Sequence, residues 1–334
     1  MCTLFRYKTN DGYFIGKNYD VPPPCYGLIF WNPAGLKKEA LIKPPEEPVV
    51  WVSKFGNITF NQVGRNFPAG GMNEKGLVVE QTTLWNTMYP DKDKRKAIKE
   101  LQLIQYLLDV CSTVKEALER MEKVRVSQEM AKLQYILSDS DGNISLVEFI
   151  LGEMKVYSNE VFTWQVIAND MIGTSLDYLN IHLGFGGTKP VKYSKYSLDR
   201  YVVSVNAIQT GLKLNGIPNA FELLGLSICE DTQWQIVYDL EARCIKWRTK
   251  DNGFINELRL AGFENKTACI TIEIDNMEQN VYTKERNVRL INSFFNESMY
   301  FKGIKINDAD ISILSTYPEK YKTQNKSNSI YGIT

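Results

Sequence analysis

Hydrophobic and polar positions first alternate along the chain with the period of strands. Runs of this kind cover Cys2–Tyr7, Tyr13–Asn18, Gly27–Trp31, Val49–Lys54, Asn57–Asn61 and Gly76–Thr83, separated by turn chemistry such as Asn10-Asp11-Gly12 and Gly56-Asn57. From about Arg95 the period changes. Ile98, Leu101, Ile104, Leu107 and Leu108 recur at three and four, which predicts an amphipathic helix. A second helix opens on a capping box, Thr113-x-x-Glu116, with apolar positions at Val114, Ala117, Leu118 and Met121. Strands return over Leu133–Ser138, Ile144–Ile150 and Val161–Asn169. Short helical segments follow around Ser175–Leu183, Ser197–Gln209 and Asn219–Cys229. Trp234–Leu240, Cys244–Arg248 and Ala268–Ile274 read as the last strands of the core.

Strands and helices thus come in blocks rather than in βαβ alternation, which predicts an α+β fold. Two antiparallel sheets packed face to face, with helices outside each, fit the order. No repeat, low-complexity block or linker interrupts the chain, so one domain over residues 1–334 is expected, with a polar, lysine-rich tail from about Ser315.

Composition narrows the function classes. Of 334 residues, 44% are hydrophobic and 23% charged, as expected of a globular protein with a sizeable core. Lys plus Arg (39) equals Asp plus Glu (39), so no global field recruits nucleic acid or an acidic membrane. No apolar run reaches the roughly 18–20 residues that span a bilayer. The Met-Cys-Thr-Leu-Phe-Arg start has no secretory pattern. The expected location is cytoplasmic.

Six cysteines stand at positions 2, 25, 111, 229, 244 and 269, with no Cys-x-x-Cys pair to suggest zinc, haem or a redox motif. Cys111, Cys229 and Cys269 lie in apolar stretches and read as small core hydrophobes. The one histidine, His182, rules out multi-histidine metal centres and sits between apolar neighbours as a structural residue would. Asp139-Ser140-Asp141-Gly142-Asn143 invites a calcium reading, but Leu137 stands where an EF-hand needs an acid, and a hairpin turn is expected. Neither a metal nor an organic cofactor is called for.

Cys2 is different, because terminal residues are rarely core. Once Met1 is removed, Cys2 carries a thiol and a free α-amine on one residue. An α-amine has a reference pKa of about 7.7–8.0, so it can serve as base without histidine. The same terminus also permits an incidental cysteine behind a retained Met1.

Further motifs decide between these readings. Met1-Cys2-Thr3 followed by Gly16-Lys17-Asn18-Tyr19-Asp20 resembles the opening of the choloylglycine hydrolase family, which includes bile salt hydrolases and penicillin V acylases. Gly71-Met72-Asn73-Glu74-Lys75-Gly76-Leu77 is a long string similar to the family's own. Val166–Asp170, Ser197–Tyr201 and Thr232–Trp234 through Trp247–Thr249 resemble later family blocks, in family order. The resemblance covers roughly Met1 to Ile274.

It implies a four-layer αββα sandwich of the N-terminal-nucleophile hydrolase kind. Cys2 would be nucleophile and, through its amine, base. Asp20 would orient the amine or thiol, Asn169 would donate its side-chain amide to the tetrahedral oxyanion, and Arg200 would lie near the thiol, favouring thiolate and fixing polar groups. Lys17 stands where the family has arginine, and Thr83 falls where a backbone N–H completes the oxyanion hole. Tyr26, Phe67 and Trp85 are candidates to line an acyl pocket. The implied reaction is hydrolysis of linear carbon–nitrogen bonds in N-acyl small molecules: conjugated bile salts, penicillin V or N-acyl homoserine lactones. The Lys17 and Thr83 departures leave open a non-catalytic binding protein on the same scaffold, and an acyltransferase is a nearer alternative. A homo-oligomer stays open, but the stretch from Asn169 to Arg200 is shorter than in bile salt hydrolases, where an insertion there helps tetramer assembly, which counts against family-style tetramerisation.

Overall fold

The computed structural model describes residues 2–23, 25–128, 131–159, 161–210, 217–297 and 314. Met1 and the polar tail expected from about Ser315 lie outside them. Two antiparallel sheets form the middle of the fold. The first runs, edge to edge, Val166–Ile167, Cys2–Thr9, Gly12–Asp20, Thr232–Asp239, Cys244–Thr249, Asn256–Arg259. The second has nine strands and is centred on Leu133–Ser138, Val78–Thr83, Pro68–Asn73 and Asn57–Asn61. Helices α1 (Glu100–Val110) and α2 (Val114–Lys123) pack outside the second sheet. Helices α3 (Ile172–Asn180), α4 (Ser197–Gln209) and α5 (Ile217–Leu226) lie outside the first, and α6 (Lys284–Asn292) follows the last strand. These are the four expected layers.

Aromatic side chains join the two sheets. Phe60 of the second sheet meets Tyr238 and Trp247 of the first edge to face, at 6.5 and 5.8 Å between centroids. All three are buried, and each fully buried side chain of this size stabilises by about 1.5–3 kcal/mol. The long family-like string closes a hairpin between Pro68–Asn73 and Val78–Thr83. Gly76 takes φ +81°, which a β-carbon disfavours, and Asn73 Oδ1 accepts from Lys75 and Leu77 N–H. Asn73 Nδ2 also donates to Leu108 and Cys111 carbonyls at the end of α1, so the turn is tied to the outer helix layer.

Some elements differ from expectation. The run Val161–Asn169 is strand only at Val166–Ile167, because Gln165 adopts φ +52° and breaks the extended backbone. The first helix begins at Glu100, and Lys96–Lys99 instead pairs in parallel with Val124–Ser127. Thr113 caps α2 as expected, but Glu116 reaches back to Ser112 rather than to the cap. The Asp139–Asn143 segment is a hairpin turn whose acid is spent on hydrogen bonds: Asp139 accepts from Asn143 and from the first N–H of α2. His182 is buried, with Nδ1 2.8 Å from the Tyr178 carbonyl, a structural histidine.

Candidate active site

Strand alternation sorts the motif residues onto two faces. Cys2 stands directly opposite Tyr19, Leu4 opposite Lys17, and Thr3 opposite Asn18, and directly opposed residues share a face. Lys17 reaches Glu80 of the second sheet and Tyr19 reaches Gln62, just past that sheet's strand Asn57–Asn61, so the Cys2 thiol points between the sheets. Thr3, Asn18 and Asp20 point the other way, toward α4 and α5; Asn18 Nδ2 donates to the Leu224 carbonyl at 2.9 Å.

On the helix side Arg200, fully buried on α4, gathers the cluster. Its Nη1 donates to Asp20 Oδ2 at 3.0 Å and to the Thr3 hydroxyl, its Nη2 to Asn169 Oδ1 at 2.9 Å, and its Nε to the Lys195 carbonyl. Asp20 Oδ1 accepts from the Thr232 hydroxyl at 2.7 Å. Burial pushes the Asp20 carboxyl above its usual range, while Arg200 and Thr232 pull it back.

Asn169 joins this cluster to the terminus. Its Oδ1 also accepts from the Cys2 backbone nitrogen, at 2.9 Å, and its Nδ2 donates to the Thr83 carbonyl at 2.8 Å. The Asn169 N–H is held by Ser197 Oγ at the start of α4. Thr83 faces Leu133 in the strand ladder, and the next residue, Leu84, bonds back to Lys132. Thr83 therefore occupies a non-hydrogen-bonded position, and its N–H and C=O both turn away from the Leu133 strand. Since the C=O meets Asn169, the N–H lies on the same side.

The thiol of Cys2 is 3% exposed. Burial raises its pKa, against which Lys17 and a hydrogen bond from the Asp20 backbone N–H work. The structure thus brings Cys2, Asp20, Asn169, Arg200 and Thr83 together, with one correction. Arg200 fixes polar groups, clamping Asp20 and Asn169, but alternation puts it on the face away from the thiol, so it is not the thiol's cation. Lys17, at the family's arginine position, points between the sheets to Glu80.

The pocket candidates divide. Tyr26 is spent on packing, with its hydroxyl on Glu273 and Arg289 4.3 Å from its ring. Phe67 is a core residue of the cluster under α1. Trp85, two residues beyond Thr83, is 56% exposed. A cavity of about 580 Å³ lined by Tyr178, Tyr196, Ser197, Cys229 and Asp231 opens on the helix side, not the thiol side. Sequence reasoning missed Thr3, Thr232, Ser197 and Glu80; Thr3, Thr232 and Ser197, inside quoted motifs, carried some signal.

The chain is similar in sequence and fold to several known proteins. A family model described as acyl-coenzyme A:6-aminopenicillanic acid acyl-transferase matches residues 7–252. Penicillin V acylase of Pectobacterium atrosepticum is 26% identical over 169 residues, 46% of this chain, and the match spans 44% of that relative's length. The fold is shared with penicillin V acylase from Agrobacterium tumefaciens (TM-score 0.72, 22% identity, 84% of this chain and 98% of that one). It is shared too with a mutant of conjugated bile acid hydrolase from Clostridium perfringens (TM-score 0.66, 17% identity, 85% and 97% covered). The solved structures bear out the N-terminal-nucleophile hydrolase sandwich fold, and the sequence matches bear out the choloylglycine hydrolase resemblance. With most of its length inside the matched span, the chain belongs to the acyl-coenzyme A:6-aminopenicillanic acid acyl-transferase family.

Proposed function

We propose that this protein hydrolyses linear carbon–nitrogen amide bonds in N-acyl small molecules through an S-acyl Cys2 intermediate. The observation that carries the reading is the 2.9 Å hydrogen bond between the Cys2 nitrogen and Asn169 Oδ1, with Arg200 binding the same oxygen. With Met1 removed, that nitrogen is the α-amine. A thiol kept neutral by burial needs a base at the moment of attack, and the amine on the same residue supplies it. Sulfur adds to the substrate carbonyl and the proton passes to the amine. The oxyanion takes hydrogen bonds from the second N–H of Asn169 Nδ2 and from the Thr83 N–H. Collapse expels the amine product, which leaves with the proton, and water then releases the acid from the thioester. Asp20 acts through its backbone N–H on sulfur and through Arg200 on Asn169. Trp85 is the remaining aromatic candidate for the acyl group. The six cysteines are free thiols, which suits the cytoplasmic setting of this reading.

The description of the matching family favours one second reading, transfer of the acyl group to an amine in place of water. Both are tested by incubating the purified protein with penicillin V, a taurine-conjugated bile salt and an N-acyl homoserine lactone, with and without 6-aminopenicillanic acid as acceptor. Free acid without acceptor supports hydrolysis, new amide only with acceptor supports transfer, and no turnover of any amide contradicts both.

A further inference from the structure

The Lys17 ammonium is buried between the sheets, where a cation without a counter-charge is costly. Its partner is Glu80, from the facing strand Val78–Thr83; the two side chains form an ion pair at 1% and 0% exposure. Two more contacts fix the pair. Lys17 Nζ donates to the Ala69 carbonyl at 3.0 Å, and the Tyr238 hydroxyl donates to the other Glu80 oxygen at 2.5 Å. Space is reserved as well, because a β-carbon at Gly70 would overlap the Glu80 carboxylate. Lys17, Glu80 and Tyr238 come from three strands in the two sheets, yet the hydrolysis described above gives Glu80 no role.

We propose that Glu80 is a positioning residue that holds the Lys17 ammonium, charged and in place, on the side of the sheet where the Cys2 thiol reacts. The inference rests on reading Cys2 as the nucleophile. The groups around that thiol are Lys17, Tyr19 and Asp20 from the neighbouring strand, Cys25 beside Tyr19, and Glu80 from the facing sheet, bound by the Tyr238 hydroxyl of the thiol's own sheet; removal of Met1 adds the Cys2 amine. Lys17 is the side-chain cation among them, and it favours the thiolate. Its charge would favour the anionic tetrahedral intermediate in the same way. Without Glu80 the ammonium would be buried without a counter-charge, an arrangement too costly to keep it beside the thiol.

The test follows alkylation of Cys2 by iodoacetamide as a function of pH, read by peptide mass in the whole protein, beside kcat/KM. Glu80→Gln, Lys17→Met and the double variant should each raise the alkylation midpoint by about one pH unit, roughly tenfold less alkylation at a fixed pH below it. The double variant should add nothing to either single one. A midpoint unchanged or lowered in Glu80→Gln overturns the inference. If Glu80→Gln fails to fold, the double variant, which lacks both charges, still decides. A midpoint equal to that of Lys17→Met supports the role, and a different one overturns it. The titration needs no substrate, so the expected shifts without any amide turnover would contradict the hydrolase reading and leave the role of Glu80 standing.

Discussion

Cys2 and Asn169 meet across 167 residues of chain, the backbone nitrogen of one donating to the side-chain oxygen of the other at 2.9 Å. Arg200 donates to that oxygen at 2.9 Å, and Asn169 Nδ2 spends one hydrogen on Thr83 at 2.8 Å. The amide is held at three points, which aims its second N–H rather than leaving it to find a direction.

Asn169→Ala should therefore cost rate rather than affinity. Loss of one oxyanion donor lowers turnover by roughly 10²–10³, with KM nearly unchanged and the fold intact. Asn169→Asp should be worse, because a carboxylate oxygen would face the Thr83 carbonyl and the developing oxyanion. A raised KM at constant kcat would make Asn169 a binding group and displace the oxyanion hole.

Arg200 is expected to matter to stability as much as to rate. Arg200→Met leaves the buried Asp20 without its counter-charge, and breaking a buried pair in this way costs about 3–5 kcal/mol. Pairing it with Asp20→Asn should recover a good part of that loss in denaturant unfolding while activity stays low. A stability loss below about 1 kcal/mol for Arg200→Met would mean the ion pair is not structurally important.

Thr83 is expected to act through its backbone alone. Thr83→Ala keeps the N–H and the C=O, so kcat should change by no more than a few fold. A loss beyond roughly a hundredfold, about 2.7 kcal/mol, would assign the hydroxyl a role that the backbone donor does not explain.

Local pattern made much of this fold legible. Ser197–Gln209 is helical over the limits its periodicity indicates, and the strands Leu133–Ser138 and Ile144–Ile150 fall where expected. Helix α6, Lys-Glu-Arg-Asn-Val-Arg-Leu-Ile-Asn, buries only Asn287, Leu290 and Ile291 among its charges, a short face, and is recognisable mainly by its Thr283 cap. Glu153–Ser158 is a half-exposed edge strand with charged residues and no clean alternation. The site was legible in its residues but not in its faces. Arg200 stands away from the thiol and Lys17 on the thiol's side because one-residue alternation decides which side of the sheet each serves, and register depends on pairing with a strand over 200 residues away. Glu80 looked like an ordinary strand charge until a lysine faced it.

The acid limb of the pH profile follows from the raised Cys2 thiol. Burial keeps the thiol protonated near neutrality, so attack requires an unprotonated amine to take its proton. Below the amine's pKa of about 7.7–8.0 the base is lost, so kcat/KM should fall roughly tenfold per pH unit. Protein acetylated at its terminus should show no turnover at any pH. A flat profile from about pH 5 to about pH 8 would contradict the amine as base.

The most direct measurement is the intact mass of the active protein, taken before and after acid quench during turnover of an N-acyl substrate, with the adduct mapped by peptide mass. The expected result is a chain lacking Met1 that gains one acyl group on Cys2. A fully active chain that retains Met1, or an acyl group on any other residue, would contradict Cys2 as the nucleophile.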